Sequence, residues 1–134
     1  MLQIDPRIVC YLIIKAREFD AKIEVVEPDP GSNPSDDDMR GVLEDYPDDP
    51  VVEEIRTVVD DLNEDEQIDL VTLLWLGRSD ASAEEWGDLR QEAEAAHSEH
   101  TAGYLLGTPL LGDYLADGLD RLGYDCSEFE KEHL

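Results

Sequence analysis

At 134 residues the chain fits one domain, long enough to bury about two-thirds of the surface its unfolded form exposes. Its 35 acidic residues against 10 basic ones give a formal net charge of -25, which excludes direct binding to nucleic acid or to an anionic membrane, since both need a cationic surface. That charge leaves a basic partner, a cation, or a self-repelling surface of the kind that suits salty surroundings.

Asp5 and Pro6 fit the N-cap and first position of a helix, and Ile8, Val9, Leu12, Ile13, Ala16, Phe19 and Ile23 then recur at the helical interval. Lys15 and Arg17 fall in the same run, with stems expected to cover apolar surface while their charges reach solvent or a carboxylate. From Glu27 to Asp49 the composition shifts to an acidic stretch interrupted by Pro28, Pro30, Pro34 and Pro47, which reads as a loop or mobile arm. Within it Met39, Val42, Leu43 and Tyr46 form a small apolar stripe suited to docking on the body or on a partner. Asp49 and Pro50 repeat the start signal, and Val51, Val52, Ile55, Val58, Val59 and Leu62 mark the next amphipathic helix.

The stretch Leu62 to Arg78 organises the rest. Asn63 and Glu66 have the spacing of a capping box, and Glu64, Asp65 and Glu66 place negative charge at the positive end of the helix dipole. From Ile68 to Leu76 only Asp69 and Thr72 are polar, so apolar side chains point all around the axis and other elements must surround them. Gly77 and Arg78 are placed to stop the helix. Ser82 and Glu85 predict a second capping box, opening a long helix whose Trp86, Leu89, Ala93, Ala96, His97, His100 and Tyr104 share one inward face. After a break at Gly107, Thr108 and Pro109 predict a last helix with a core face of Leu111, Tyr114, Leu115, Gly118 and Leu122; Gly118 would let a neighbour approach closely, and Gly123 would end it. Residues 124–134 form at most a short helical tail capped by Ser127.

Cys10 and Cys126 lie near opposite ends without CxxC spacing, and no signal peptide is recognisable, which reads as a reduced cytoplasmic protein. Cys10 is expected in the core and Cys126 near the surface. A disulfide between them would require the termini to meet, which the sequence leaves open.

Three phrases resemble a family of small acidic bacterial proteins catalogued only as a domain of unknown function: YLIIKAREFD from Tyr11 to Asp20, DEQIDLVTLLWLGR from Asp65 to Arg78, and YLLGTPLLGDYL from Tyr104 to Leu115. The resemblance spans most of the chain and implies no activity and no catalytic residue.

The parts list for chemistry is short. Asp61, Asn63, Asp65, Gln67 and Asp69 alternate like the first half of a calcium loop, but Glu66 stands where Gly is needed and Thr72 where a bidentate Glu is needed, and helix capping explains the same residues. His97 and His100, three apart, could offer two nitrogens to one metal, yet no HExxH and no repeated Glu-x-x-His accompanies them. No GxSxG elbow occurs, and neither cysteine has a neighbouring histidine. No catalytic residue and no cofactor is therefore assigned.

These readings converge on an all-α, single-domain bundle of about five helices over residues 1–134, with an acidic Pro-rich loop or arm at 27–49 after the first helix. The expected function is that of a non-enzymatic cytoplasmic protein that binds another protein, with the arm residues Met39, Val42, Leu43 and Tyr46 as partner-binding candidates. Residues 27–66 carry 16 acidic and 2 basic residues, a local charge of -14, which favours a basic partner; a homodimer is a milder form of the same idea. The alternatives are a metal-dependent or acid–base enzyme using the His97/His100 face with Arg90, Tyr104 and carboxylates, and an acidic mimic of nucleic acid.

Overall fold

The computed structural model describes residues 2–23 and 50–127. The proposed arm at 27–49, with Met39, Val42, Leu43 and Tyr46, lies outside them, as does the tail beyond Ser127. The described residues form six α-helices and one 3-10 turn, with no strand among them. The helices are α1 (Pro6–Ile23), α2 (Pro50–Asp61), α3 (Glu64–Arg78), α4 (Trp86–Ala96), α5 (Thr101–Leu106) and α6 (Leu111–Arg121), and the turn covers Ala83–Glu85. None of these helices is long and apolar enough to cross a membrane.

Local chemistry explains most boundaries. Asp5 accepts the Arg7 N–H at 2.9 Å on its side chain, and its carbonyl accepts from Ile8, so α1 starts at Pro6. Asn63 accepts the Glu66 N–H at 2.8 Å and donates its own N–H to the Glu66 carboxylate at 3.0 Å, closing the capping box of α3. The Glu85 carboxylate likewise returns to the Ser82 N–H at 3.2 Å, although the chain there passes through a 3-10 turn before α4 begins. Gly123, at φ +88°, takes the left-handed conformation that ends α6.

The helices close a ring around one core. α1 packs on α2 and α6, α6 on α3, and α5 on α2 and α3, while α4 lies outside the ring against α3. This arrangement explains why α3 is apolar on every side. Leu70, Leu73, Leu74 and Leu76 point into the ring with Val9, Leu12, Ile55, Leu105, Leu115 and Leu119. Ile68 and Val71 face outward, where Ala93 of α4 buries them with Trp75 and Tyr104 alongside. Two stacked clusters result, and α3 is the wall between them. Apolar burial on this pattern is the main term holding the helices together.

Four expectations need correction. Gly77 does not stop α3: it is buried one residue before the helix end, where a methyl group would overlap the Tyr114 carbonyl oxygen of α6. Its lack of a side chain serves close approach, as at Gly118, whose Cβ position is taken by the Leu73 carbonyl oxygen. The long helix expected after Ser82 is two helices. α4 ends at Ala96, His97 is extended (φ -60°, ψ 137°), and α5 restarts at Thr101. α4 must cover α3 while α5 packs on α2, so one straight rod cannot serve both. Ser98 fixes the break by accepting the His100 N–H on its hydroxyl at 3.1 Å and the Thr101 hydroxyl on its carbonyl at 3.2 Å.

The last helix also starts later than Thr108 and Pro109 suggest. Thr108 donates its hydroxyl to the Tyr104 carbonyl at 3.0 Å, and Leu110 adopts φ 59° before α6 begins at Leu111. Finally, the cysteines are not reduced. Cys10, 3% exposed in α1, is bonded to Cys126 in the segment leaving α6, with their Cα atoms 5.7 Å apart. Because α1 packs on α6, the chain that leaves α6 passes directly by Cys10.

Lys15 and Arg17 of α1 behave as expected. Arg17 donates to Asp113 of α6 at 3.1 Å, and Lys15 meets Glu54 of α2 at 2.7 Å. The bond to Glu54 holds the Lys15 ammonium above its ordinary range. Thus α1 is tied to both neighbours in the ring.

Candidate functional site

The polar chemistry of the described residues concentrates on the first half of α3, where Glu64, Asp65, Gln67 and Asp69 meet α4 and the chain just after it. Asp69 is the centre. It is 0% exposed, and its carboxylate accepts the backbone N–H groups of Gln3 and Ile4, the latter at 3.1 Å. Its other oxygen accepts the Arg90 Nε–H at 2.8 Å. Arg90 extends the contact to Asp65 at 3.2 Å, and these bonds, led by the one to Asp69, hold its guanidinium above its ordinary range against the opposing effect of burial. One buried carboxylate therefore joins the chain before α1, the middle of α3 and the middle of α4.

One turn away, Gln67 donates its amide to the Val59 carbonyl of α2 at 2.8 Å. That bond orients the amide so that its oxygen faces His97 Nε2 at 2.9 Å, which places the ring proton on Nε2. His97 Nδ1 faces the Glu64 carboxylate at 3.6 Å. Tyr104 accepts the Trp75 indole N–H at 2.9 Å. His100 is exposed and stands at the N-cap of α5.

The structure thus breaks the helix between the two histidines that the helical interval would place on one face. Glu64 faces His97, and Arg90 and Tyr104 are each engaged in a bond between elements. No buried side-chain nitrogen or oxygen among the described residues lacks a partner, and none of their His, Cys, Asp and Glu side chains come together in threes in a way that could hold a metal. The residues of the calcium-like string serve other ends: Asp61 closes α2, Asn63 caps α3, Gln67 turns to α2, and Asp65 and Asp69 meet Arg90 of α4. The sequence reading noted Arg90 and missed Asp69 as its anchor. The available signal was a lone acidic residue amid eight consecutive apolar or buried neighbours, a position that is tolerable only if a cation or N–H groups meet it.

The Gln67–His97 link is structural. His97→Ala removes one hydrogen bond and is expected to cost about 1 kcal/mol by urea denaturation, and the Gln67→Ala/His97→Ala pair should cost little more than Gln67→Ala alone, which also gives up the bond to Val59. Fully additive losses would show that the link carries no energy.

At the opposite end of the ring, Arg121 of α6 donates to the Leu76 and Ser79 carbonyls and, at 3.0 Å, to that of Ala81, capping the exposed carbonyl end of α3. Between α1 and α6 lies an open pocket of about 290 Å³, floored by Ile13, Ala116 and Leu119 and walled by Tyr124 and Cys126.

A family model described as a protein of unknown function (DUF3775) matches residues 52–124, from α2 through the end of α6. No curated protein and no solved structure matches the chain significantly.

Proposed function

The chain belongs to the DUF3775 family of proteins of unknown function, so its role is read from its own residues, and we propose that it is a non-enzymatic protein that works by binding a basic protein partner. One observation carries this reading. The side chains best suited to chemistry, namely Asp69, Arg90, His97, Tyr104 and the cysteine pair, are each bonded across elements, so what the body offers to solvent is mainly carboxylate. Asp60, Asp61, Glu64 and Asp65 are all exposed at the turn from α2 to α3, and Asp88 and Glu92 are exposed on α4. Like charges so arranged repel one another and attract a cationic surface.

The metal-dependent or acid–base alternative gains no support from His97 and His100, which do not share a helix. The nucleic-acid mimic remains a special case of binding a basic surface. Cytoplasmic residence fits this reading provided the Cys10–Cys126 bond is one that opens and closes, because cytosolic thiols keep most cysteines reduced.

The test is crosslinking and affinity capture from cell lysate with the full chain. A partner whose own surface is basic should be recovered, and its purified form should bind at least ~10-fold more weakly at ~0.5 M salt than at ~50 mM, as screening of exposed charges requires. The charge-reversed Asp88→Lys/Glu92→Lys protein or the Asp60→Lys/Asp61→Lys protein should weaken the complex as well. Recovery of no partner, or binding indifferent to salt and to both reversals, overturns the proposal.

A further inference from the structure

Cys10 and Cys126 both lie outside residues 52–124, so the bond between them is a feature of this chain beyond the stretch the family shares. Its surroundings are asymmetric. Cys10 is packed into the core at 3% exposure, whereas Cys126 is half-buried and forms part of the wall of the open pocket between α1 and α6. An approaching thiol can reach the Cys126 sulfur from the pocket side and is kept from the Cys10 sulfur by packed side chains.

The two elements joined are held very differently without the bond. α1 buries Val9, Leu12, Ile13, Ala16 and Phe19, and ties itself to Glu54 of α2 and Asp113 of α6. The chain before it is held by the Asp69 carboxylate. Tyr124, Asp125 and Cys126 lie outside any helix. Their hydrogen bonds include that of the Tyr124 N–H to the Leu119 carbonyl at 3.0 Å and the turn in which Asp125 accepts from Ser127. Tyr124 and Cys126 are only partly covered where they pack on the core.

We propose that Cys10–Cys126 is a redox-operated latch on the segment Tyr124–Ser127, opened by low-molecular-weight thiols and closed by their disulfides, while the ring of helices stays folded. The exchange balances as follows. A thiolate attacks the Cys126 sulfur, forming a mixed disulfide there and expelling the Cys10 thiolate, which takes up a proton. A second thiolate attacks the outer sulfur of that mixed disulfide and releases Cys126, leaving two protein thiols and one oxidised thiol pair. Two electrons pass from the thiols to the protein. With the latch open, the segment swings from the pocket wall and solvent reaches Ile13 and Leu119, which are 2% and 1% exposed when it is shut.

The experiment uses the full chain and glutathione. Brief reaction at neutral pH, quenched with acid, should trap the glutathione adduct on Cys126 by peptide mapping. In the fully reduced protein, hydrogen exchange of residues 122–127 should rise at least tenfold while the amides of α3 keep their protection, and the oxidised pattern should return on adding glutathione disulfide. Cys126→Ser should reproduce the reduced pattern without any thiol present. The proposal is overturned if the adduct forms on Cys10, if the bond resists millimolar glutathione, if exchange at 122–127 does not change, or if α3 loses protection on reduction. The last outcome would make the bond a staple that the whole fold requires.

Discussion

Gly118→Ala is expected to destabilise the protein by roughly 3 kcal/mol or more, a large fraction of the stability of an ordinary domain. The added methyl would overlap the Leu73 carbonyl oxygen, which belongs to the backbone of α3 and cannot rotate out of the way. The two helices would have to separate, and the separation would be felt by Leu73, Leu74, Leu115 and Leu119, all at 0–1% exposure. Gly77→Ala should be as damaging, because its methyl would meet the Tyr114 carbonyl oxygen and approach the Gly118 nitrogen within 2.9 Å. Gly87→Ala is the control. Nothing lies within 4 Å of its Cβ position in the first turn of α4, so that change should be neutral or stabilising by less than ~1 kcal/mol. Urea denaturation of the three variants decides the matter: a loss under ~1 kcal/mol for Gly118→Ala would mean that the helices have room the geometry denies them.

The second large effect is expected at Asp69. Replacing it with Ala takes the shorter of its two carboxylate partners from the Arg90 guanidinium, whose side chain is only 23% exposed and which keeps Asp65, and leaves the N–H groups of Gln3 and buried Ile4 without their acceptor. Breaking one side of a buried, hydrogen-bonded charge pair costs about 3–5 kcal/mol, most of it from the groups left behind. Asp69→Asn keeps one acceptor oxygen but points a donor at other donors, and should fall between Ala and wild type. In the Asp69→Ala/Arg90→Ala pair the stranded cation is gone, so part of the loss should be recovered; the Gln3 and Ile4 N–H groups remain unsatisfied, so recovery should be incomplete. Strict additivity of the two single changes would show that Asp69 and Arg90 are not coupled. Hydrogen exchange at residues 3 and 4 provides a second reading, because those amides should lose protection in Asp69→Ala and keep it in Arg90→Ala.

These two sites show which parts of the fold the amino-acid order made legible. Short-range signals read true where only one turn of chain decides the outcome: Asp5 and Pro6, the Asn63–Glu66 box, and Gly123 at the end of α6. Gly118 was legible too, as a glycine on an apolar face. Gly77 was misread because a glycine near a helix end has two uses, and only the position of α6 distinguishes a stop from a crossing. The same limit applies to His97 and His100. Their interval of three places them on one face of a helix, but the need to cover both α3 and α2 breaks that helix between them. Asp69 depends on Arg90, twenty-one residues later, and on residues 3 and 4 at the other end of the chain, so periodicity within one helix carries no trace of its partners. The disulfide is the extreme case, with its ends 116 positions apart.

The ring closes by joining the first helix to the last, which has a consequence for how the protein comes into being. α1 leaves the ribosome before the other five described helices, but one of its two flanking partners, α6, is the last of the six to follow. Contacts of such long span are reached slowly, because the entropy of closing the loop must be overcome before they contribute. Until α6 emerges, α1 and α2 hold their apolar faces toward an incomplete core, as a newly made chain does when its domain is unfinished. During that interval the carboxylates that cover the finished surface keep growing chains apart, so the acidity acts before folding as a guard against association.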